Sequence, residues 1–314
     1  MKVDRRTLLA GAVAVSVPLP ALAAPLVTER FPIWPGPPPG GEGLNVRDEV
    51  VKRSPNGAPD DIAWPHVGTP MLNVIPAAAS NGAAVLVVPG GGYARVALGR
   101  EGSSISRMFT ARGITAFELL YRLPHDGWAA GPDVSLQDAQ RAIRLIRAGA
   151  ARWKIDPARI AVTGFSAGGH VAARTASRFA LQTYAPVDEA DKQSARPTVA
   201  GLFFPVITMR QPEAHGQSRR ELLGKEASPE RTRLYSAEND LPADMPPTFV
   251  AHAADDPVVP PANSLVMFAA LHSAKIASEL HIFEKGGHGL PMVEDGKEHP
   301  WPGLFERFAR RHGL

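Results

Sequence analysis

The chain has 314 residues, 44% hydrophobic and 21% charged, which suits a sizeable globular core and excludes disorder throughout. Lys and Arg number 34 against 31 Asp and Glu, a net charge of only +3, so no broad basic field for nucleic acid arises. There is no cysteine, which excludes disulfides, thiolate-bound metal, a thiol nucleophile and a lipid-bearing cysteine.

The first stretch, "MKVDRRTLLAGAVAVSVPLPALAAP", runs from basic through apolar to small residues, as export signals do. Arg5-Arg6 ahead of Thr7-Leu8-Leu9 resembles a twin-arginine signal, and Ala21-Leu22-Ala23 fits a cleavage site leaving Ala24 first. Pro18 and Pro20 leave the apolar run short for a bilayer. The expectation is a signal peptide over 1–23, no stable membrane anchor, and a periplasmic or extracellular protein. Residues 31–43, "FPIWPGPPPGGEG", cannot form a helix or an interior strand and belong to a Pro/Gly-rich N-terminal arm over 24–69. Residues 70–314 are expected to form one main domain, which the motifs below make the catalytic one.

Apolar strand-like runs follow at 83–88, 114–120, 159–164, 199–204, 248–252 and 279–283. Helical patterns fall at 101–112, 135–153, 167–180, 262–274 and 301–312. The clearest is 135–153, where Leu136, Ala139, Ile143, Ile146 and Ala150 line one face behind Ser135 as N-cap. Arg141, Arg144, Arg147 and Arg152 recur at helical spacing and read as a solvated face. No aromatic residues interleave with them to stack bases. Continuous apolar strands alternating with helices predict an α/β fold, a mostly parallel central sheet with helices on both faces. Ligands then bind at the carboxyl ends of the strands. Residues 205–247 break the rhythm, either as a small lid or as a plain surface connection.

After the run 159–164 comes Gly164-Phe165-Ser166-Ala167-Gly168, the pattern G-x-S-x-G between a strand and a helix. It places the Ser166 hydroxyl on a sharp turn at a helix N-terminus, the geometry of a nucleophile. A serine needs a base. His170, His252 and His281 sit within elements and read as packing or structural histidines. His288, in "FEKGGHGL" just past the last strand, is the candidate general base. The acid that orients it comes from "HAADDPVVPPANS", which offers Asp255 and Asp256. The following Pro257-Val258-Val259-Pro260 favours Asp256. Oxyanion donors are expected from the backbone of Ala167 and, in "PGGGYARVALGREG", from Gly91 and Gly92. That loop lacks the G-x-G-x-x-G spacing of dinucleotide sites. No cofactor and no metal is called for.

These pieces, with "EGSSISRMF", "GITAFELLYRLP", "IDPARIAVTGFSAGGH" and "ELHIFEKGGHG", resemble α/β-hydrolase-fold serine esterases. The likeness is to the exported bacterial branch of acetyl xylan esterases and related carbohydrate acetyl esterases. It implies Ser166, Asp256 and His288 as catalytic residues, with a small-molecule or oligosaccharide ester as partner. It also implies short-chain, mainly acetyl, specificity. Pro89 stands where related esterases carry histidine before three glycines, which leaves the choice of donors among Gly91, Gly92 and Tyr93 open. Trp34, Trp128, Tyr93 and Trp301 are either sugar-stacking platforms or packing residues. Competing readings are a feruloyl or general carboxylesterase, a peptidase of the same fold, and a non-catalytic binding protein. The intact order of nucleophile, acid and base weighs against the last.

Overall fold

The computed structural model describes residues 27–100 and 102–314, so the expected signal over 1–23 lies outside the described residues. In chain order the first strands are β1 (Glu29–Pro32), β2 (Glu49–Lys52), β3 (Ile62–His66), β4 (Met71–Ile75) and β5 (Ala84–Val88). Helix α1 (Ser104–Ala111), β6 (Thr115–Leu120), α2 (Val134–Ala148), β7 (Ile160–Phe165), α3 (Ala167–Ser177) and β8 (Val199–Phe203) follow. Then come α4 (Gly216–Leu223), α5 (Pro229–Tyr235), β9 (Thr248–Ala253), α6 (Ala262–Ser273), β10 (Ser278–Phe283) and α7 (Pro300–Arg311).

Eight strands form the central sheet in the order β1-β4-β6-β5-β7-β8-β9-β10. From β6 to β10 neighbours are parallel, and β4 and β1 add antiparallel. Strands β5 to β9 are buried along their whole length, which is why they read as unbroken apolar runs rather than alternating ones. Their side chains still alternate. Leu86, Val162, Leu202 and Val250 face α2, α3 and α6 in one core. Val85, Ala161, Phe203 and Phe249 face α1 and α7, where Phe109, Trp301, Phe305 and Phe308 close the other.

The six predicted strands are all present, and the predicted helices fall within three residues of expectation except that of 135–153, which ends at Ala148. Two strands of the central sheet, and the separate pair β2–β3, went unpredicted. Strand β4 is short and antiparallel, outside the strand–helix rhythm. Strand β1 is an edge strand at the start of the arm, where Pro32 needs no ladder partner beyond β4. The arm is also anchored inward: Trp34 Nε1 donates to Asp138 Oδ1 at 2.8 Å, and Arg122 Nη1 donates to the Pro39 carbonyl at 2.8 Å.

The arginine face of α2 is not solvated as expected. Arg141 is buried, donating to Asp188 and to the Ile33 carbonyl. Arg144 bonds Tyr184 Oη and the Gln193 carbonyl, and Arg147 bonds the carbonyls of Pro157, Ser194 and Arg196. These side chains satisfy the polar backbone of an irregular loop that has no ladder of its own. Trp34, Trp128, Trp301 and Tyr93 are likewise all buried, so none offers a ring to a sugar.

Candidate active site

The predicted site residues follow the carboxyl ends of parallel strands: the glycine loop follows β5, Ser166 follows its neighbour β7, and, beyond β8, Asp256 follows β9 and His288 follows β10. Gly164 pairs with Val88 in the β7–β5 register, so Ser166 emerges next to the glycine loop. The turn is tight. A side chain on Gly164 would come within 2.1 Å of the Gly168 carbonyl oxygen, and one on Gly168 within 2.2 Å of the Val88 carbonyl oxygen. Ser166 itself adopts φ 55°, ψ −123°, a strained conformation for a residue with a side chain. The strain is held by three backbone bonds: Ser166 N–H to the Phe203 carbonyl, and Gly169 and Val206 N–H to the Ser166 carbonyl.

Ser166 Oγ lies 2.9 Å from His288 Nε2, and His288 Nδ1 lies 2.8 Å from Asp256 Oδ2. Carboxylate oxygens only accept, so Nδ1 carries the proton and Nε2 presents its lone pair to the serine hydroxyl. Of the two candidate acids, Asp256 is the one the structure brings to His288. Asp255 has a different place: its Oδ1 accepts from Gly287 N–H at 2.8 Å and so pins the loop that carries His288.

Asp256 is saturated with donors. Val258 and Val259 N–H point at Oδ1 from 2.8 and 3.0 Å, and His252 Nε2 approaches Oδ2 at 3.0 Å. Burial opposes its charge, yet the bonds from His252, His288 and the two amides hold the carboxyl well below the usual carboxylate range. His252 reads from sequence as a structural histidine in a strand. It is fully buried there, but its partner is the acid of the site. The signal was its place four residues before Asp256, at the end of β9.

The glycine loop follows β5. Gly91, Gly92 and Tyr93 take positive φ of 138°, 67° and 60°. The turn is closed by Ala94 and Arg95 N–H to the Gly91 carbonyl and by Ala97 N–H to the Gly90 carbonyl. Among the described residues, the N–H groups of Gly91, Gly92 and Ala167 have no acceptor. Trp64 and Val96 exchange two backbone bonds of 2.9 Å, and Tyr121 Oη donates to the Pro89 carbonyl, fixing the loop from outside. Tyr93 turns inward, its Oη donating to His170 Nδ1 at 2.7 Å, while His170 Nε2 donates to the Tyr235 carbonyl. Burial, with help from the Arg174 charge, pushes the His170 pKa down to about 3, so this histidine stays neutral.

Ser166, His288 and the glycines 90–92 line a cleft of about 340 Å³. Its walls add Phe165, Phe204, Val258, Arg53 and Arg95. His215 and Gln217, from the 205–247 segment, also face it. That segment is a built wall rather than a loose cover, since Val206, Ile207 and Met209 are fully buried beneath it. Sequence reasoning singled out neither His215 nor Gln217, because a polar segment between strands carries no periodic signal.

The BD-FAE family profile matches residues 74–271, more than half of the chain. An acetylxylan esterase of Xylanibacter ruminicola is 32% identical over 67% of this chain and 41% of its own length. Endo-1,4-beta-xylanase B of Butyrivibrio fibrisolvens is 34% identical over 70% of this chain and 34% of its own. The chain thus spans well under half of these two longer relatives. Among solved structures, the acetyl ester-xyloside bifunctional hydrolase of Caldicellulosiruptor lactoaceticus is 31% identical. It aligns with a TM-score of 0.72, covering 93% of this chain and 98% of that one. The chain belongs to the BD-FAE family, on an α/β-hydrolase fold, and resembles acetylxylan esterases.

Proposed function

We propose that the chain is a serine carboxylic ester hydrolase that removes short acyl groups, chiefly acetyl, from carbohydrates through an acyl-serine intermediate. The observation that carries this is the chain of contacts Ser166 Oγ–His288 Nε2 at 2.9 Å and His288 Nδ1–Asp256 Oδ2 at 2.8 Å, on the floor of an open cleft. His288 takes the Ser166 proton as Oγ attacks the ester carbonyl. The negative oxygen that develops meets the N–H groups of Ala167, Gly91 and Gly92, aided by the N-terminus of α3. His288 then protonates the departing sugar oxygen. Water enters and gives a proton to His288 as it attacks the acyl carbon; the bond to Oγ breaks, His288 returns the proton to Ser166 and the acid leaves. Asp256, held ionised by its donors, keeps Nδ1 protonated and stabilises the imidazolium.

The substrate class rests on likeness. Two of the similar proteins carry acetyl esters in their names and all three carry xylan or xyloside. Acetylated xylo-oligosaccharides are therefore the substrate to try first, with export through a twin-arginine signal placing the enzyme where such fragments occur. Release of acetate from these oligosaccharides, compared with release of ferulate from feruloyl esters and of fatty acid from long-chain acyl esters, tests the reading. A higher kcat/KM on either alternative ester would overturn the acetyl assignment. Full activity in a folded Ser166→Ala protein, or failure of a fluorophosphonate to label Ser166, would overturn the serine route.

A further inference from the structure

A second cleft opens on the far side of the glycine loop, lined by the 45–49 turn together with His66, His125 and Asp126. One donor atom from each of those three residues lies within 4.8 Å of the other two. His66 ends β3, while His125 and Asp126 sit in the 3-10 turn Pro124–Asp126 that follows β6. The three come together only in the fold, which is why the sequence assigned no metal ligand.

Asp126 is the buried member. Its Oδ2 accepts from Val67 N–H at 3.3 Å, and its Oδ1 lies 2.6 Å from His66 Nδ1 and 3.5 Å from His125 Nε2. His125 makes the site unusual, because both of its ring nitrogens face oxygens. Nδ1 lies 3.1 Å from the Tyr93 carbonyl oxygen, with Glu221 Oε2 at 3.9 Å. Nε2 lies 3.0 Å from the Pro65 carbonyl oxygen. Carbonyl and carboxylate oxygens only accept, and a neutral imidazole has one N–H. With that N–H on Nδ1, the Nε2 lone pair faces two electron-rich oxygens, an arrangement that favours a positive centre between them.

A second proton on His125 would meet that need, but the surroundings point to more. A second imidazole approaches the same Asp126 oxygen. Glu49 and Asp48 stand at the rim with Arg47 as the one cation among the lining residues, so the cleft attracts positive charge. An imidazole whose Nδ1–H is anchored on a backbone carbonyl is the arrangement that orients metal-bound histidines. We propose that His66 Nδ1, His125 Nε2 and Asp126 Oδ1 bind a divalent zinc-class ion, with the Pro65 carbonyl beside it. Two imidazoles and a carboxylate are a donor set for that class. Zinc bonds of about 2.0–2.2 Å place donors roughly 3.3 Å apart, so His66 and Asp126 part by less than about 1 Å on binding. The ion joins β3 to the turn after β6. Through His125 Nδ1–H and the Tyr93 carbonyl it also steadies the loop that carries Gly91 and Gly92. It takes no part in the ester chemistry.

The test uses the full chain, free of any affinity tag and stripped of metal, titrated with Zn²⁺ against a chromophoric chelator. The variants are His66→Ala, Asp126→Asn and His288→Ala, with the exposed His272→Ala as control. The wild type and His272→Ala are expected to take up one zinc per chain and to melt at higher temperature when loaded. His66→Ala and Asp126→Asn should bind at least about tenfold more weakly and gain no thermal protection. Asp126→Asn retains an oxygen for the Val67 amide, so it serves if His66→Ala folds poorly. No zinc uptake by the wild type, or equal uptake by both ligand variants, would overturn the proposal. So would loss of binding in His288→Ala instead, since that places the ion in the catalytic cleft.

Discussion

His252 donates its Nε2 proton to Asp256 Oδ2 at 3.0 Å, the same oxygen that His288 Nδ1 reaches at 2.8 Å. The direction of that bond is fixed, because Nε2 also faces the Val259 carbonyl at 3.1 Å while Nδ1 accepts from Ser264 Oγ at 2.7 Å. Two imidazoles thus share one carboxylate oxygen. His252 thereby helps to hold the Asp256 carboxylate ionised and in place against His288. A His252→Leu enzyme should lose roughly ten- to a hundredfold in kcat, the worth of one hydrogen bond to a charged group. His252→Gln, which can still donate to Asp256, should recover part of that rate. Equal losses in the two variants would reduce His252 to a packing residue.

The two adjacent aspartates make separable predictions. Asp256→Asn changes the tautomer of His288 and should lower kcat by about 10⁴ with little change in fold. Asp255→Ala removes the acceptor of Gly287 N–H, loosening the loop that carries His288. It should cost about tenfold or less, mainly through the position of the imidazole. Steady-state kinetics on p-nitrophenyl acetate measures both. Equal losses would mean that Asp255 does more than hold the loop.

What the sequence made legible follows from locality. Ser166 stands on a turn whose glycines are needed within four residues of it, and His288 and Asp256 each follow a strand, so motif and rhythm found them. The choice of Asp256 over Asp255 rested on the residues after it; the structure places Asp256 against His288 Nδ1 and Asp255 against Gly287 N–H. Less legible were features that depend on contact across the fold. Arg141 looks like any surface arginine until Asp188 and the Ile33 carbonyl close over it. Trp34 read as either a sugar platform or a packing residue, and is buried against Tyr184 with its indole N–H on Asp138. His252 was placed correctly in a buried strand, but its bond to Asp256 depends on how the chain turns after that strand.

His170 gives the fold a pH dependence of known sign. Its folded pKa is depressed to about 3 against an ordinary value near 6.5. Above about pH 6.5 neither folded nor unfolded chain carries the proton, and no stability depends on it. Below that the unfolded chain binds a proton that the folded one refuses, so stability falls as the pH drops from about 6.5 toward 3. His170→Gln should be less stable at neutral pH, having lost its fit to Tyr93 and Tyr235, yet lose less between pH 6.5 and 4. Urea melts across that range measure the two slopes. Parallel curves would show that other groups carry the acid sensitivity.

The arm is tied to the catalytic domain through one buried carboxylate, and its removal gives the sharpest stability prediction. Asp138 accepts from Trp34 Nε1 at 2.8 Å, from Arg122 Nη2 at 2.8 Å and from Arg122 N–H at 2.8 Å. Both side chains of the Arg122–Asp138 pair are wholly buried, and the guanidinium lies 5.4 and 4.8 Å from the rings of Trp34 and Trp128. Asp138→Ala leaves that cation without its counter-charge and the indole N–H without its acceptor. The expected cost is about 3–5 kcal/mol, because an unpaired buried charge is far more expensive than the pair it came from. Replacing both members, Arg122→Met with Asp138→Leu, should cost clearly less than Asp138→Ala alone, since no charge then remains to be buried. Urea unfolding of the three proteins decides it, and limited proteolysis within residues 35–44 should quicken in the single variant as the arm lifts from Arg122. A double variant less stable than the single one would mean that the polar contacts of Arg122 to Pro39 and Gln137, rather than the ion pair, hold the arm in place.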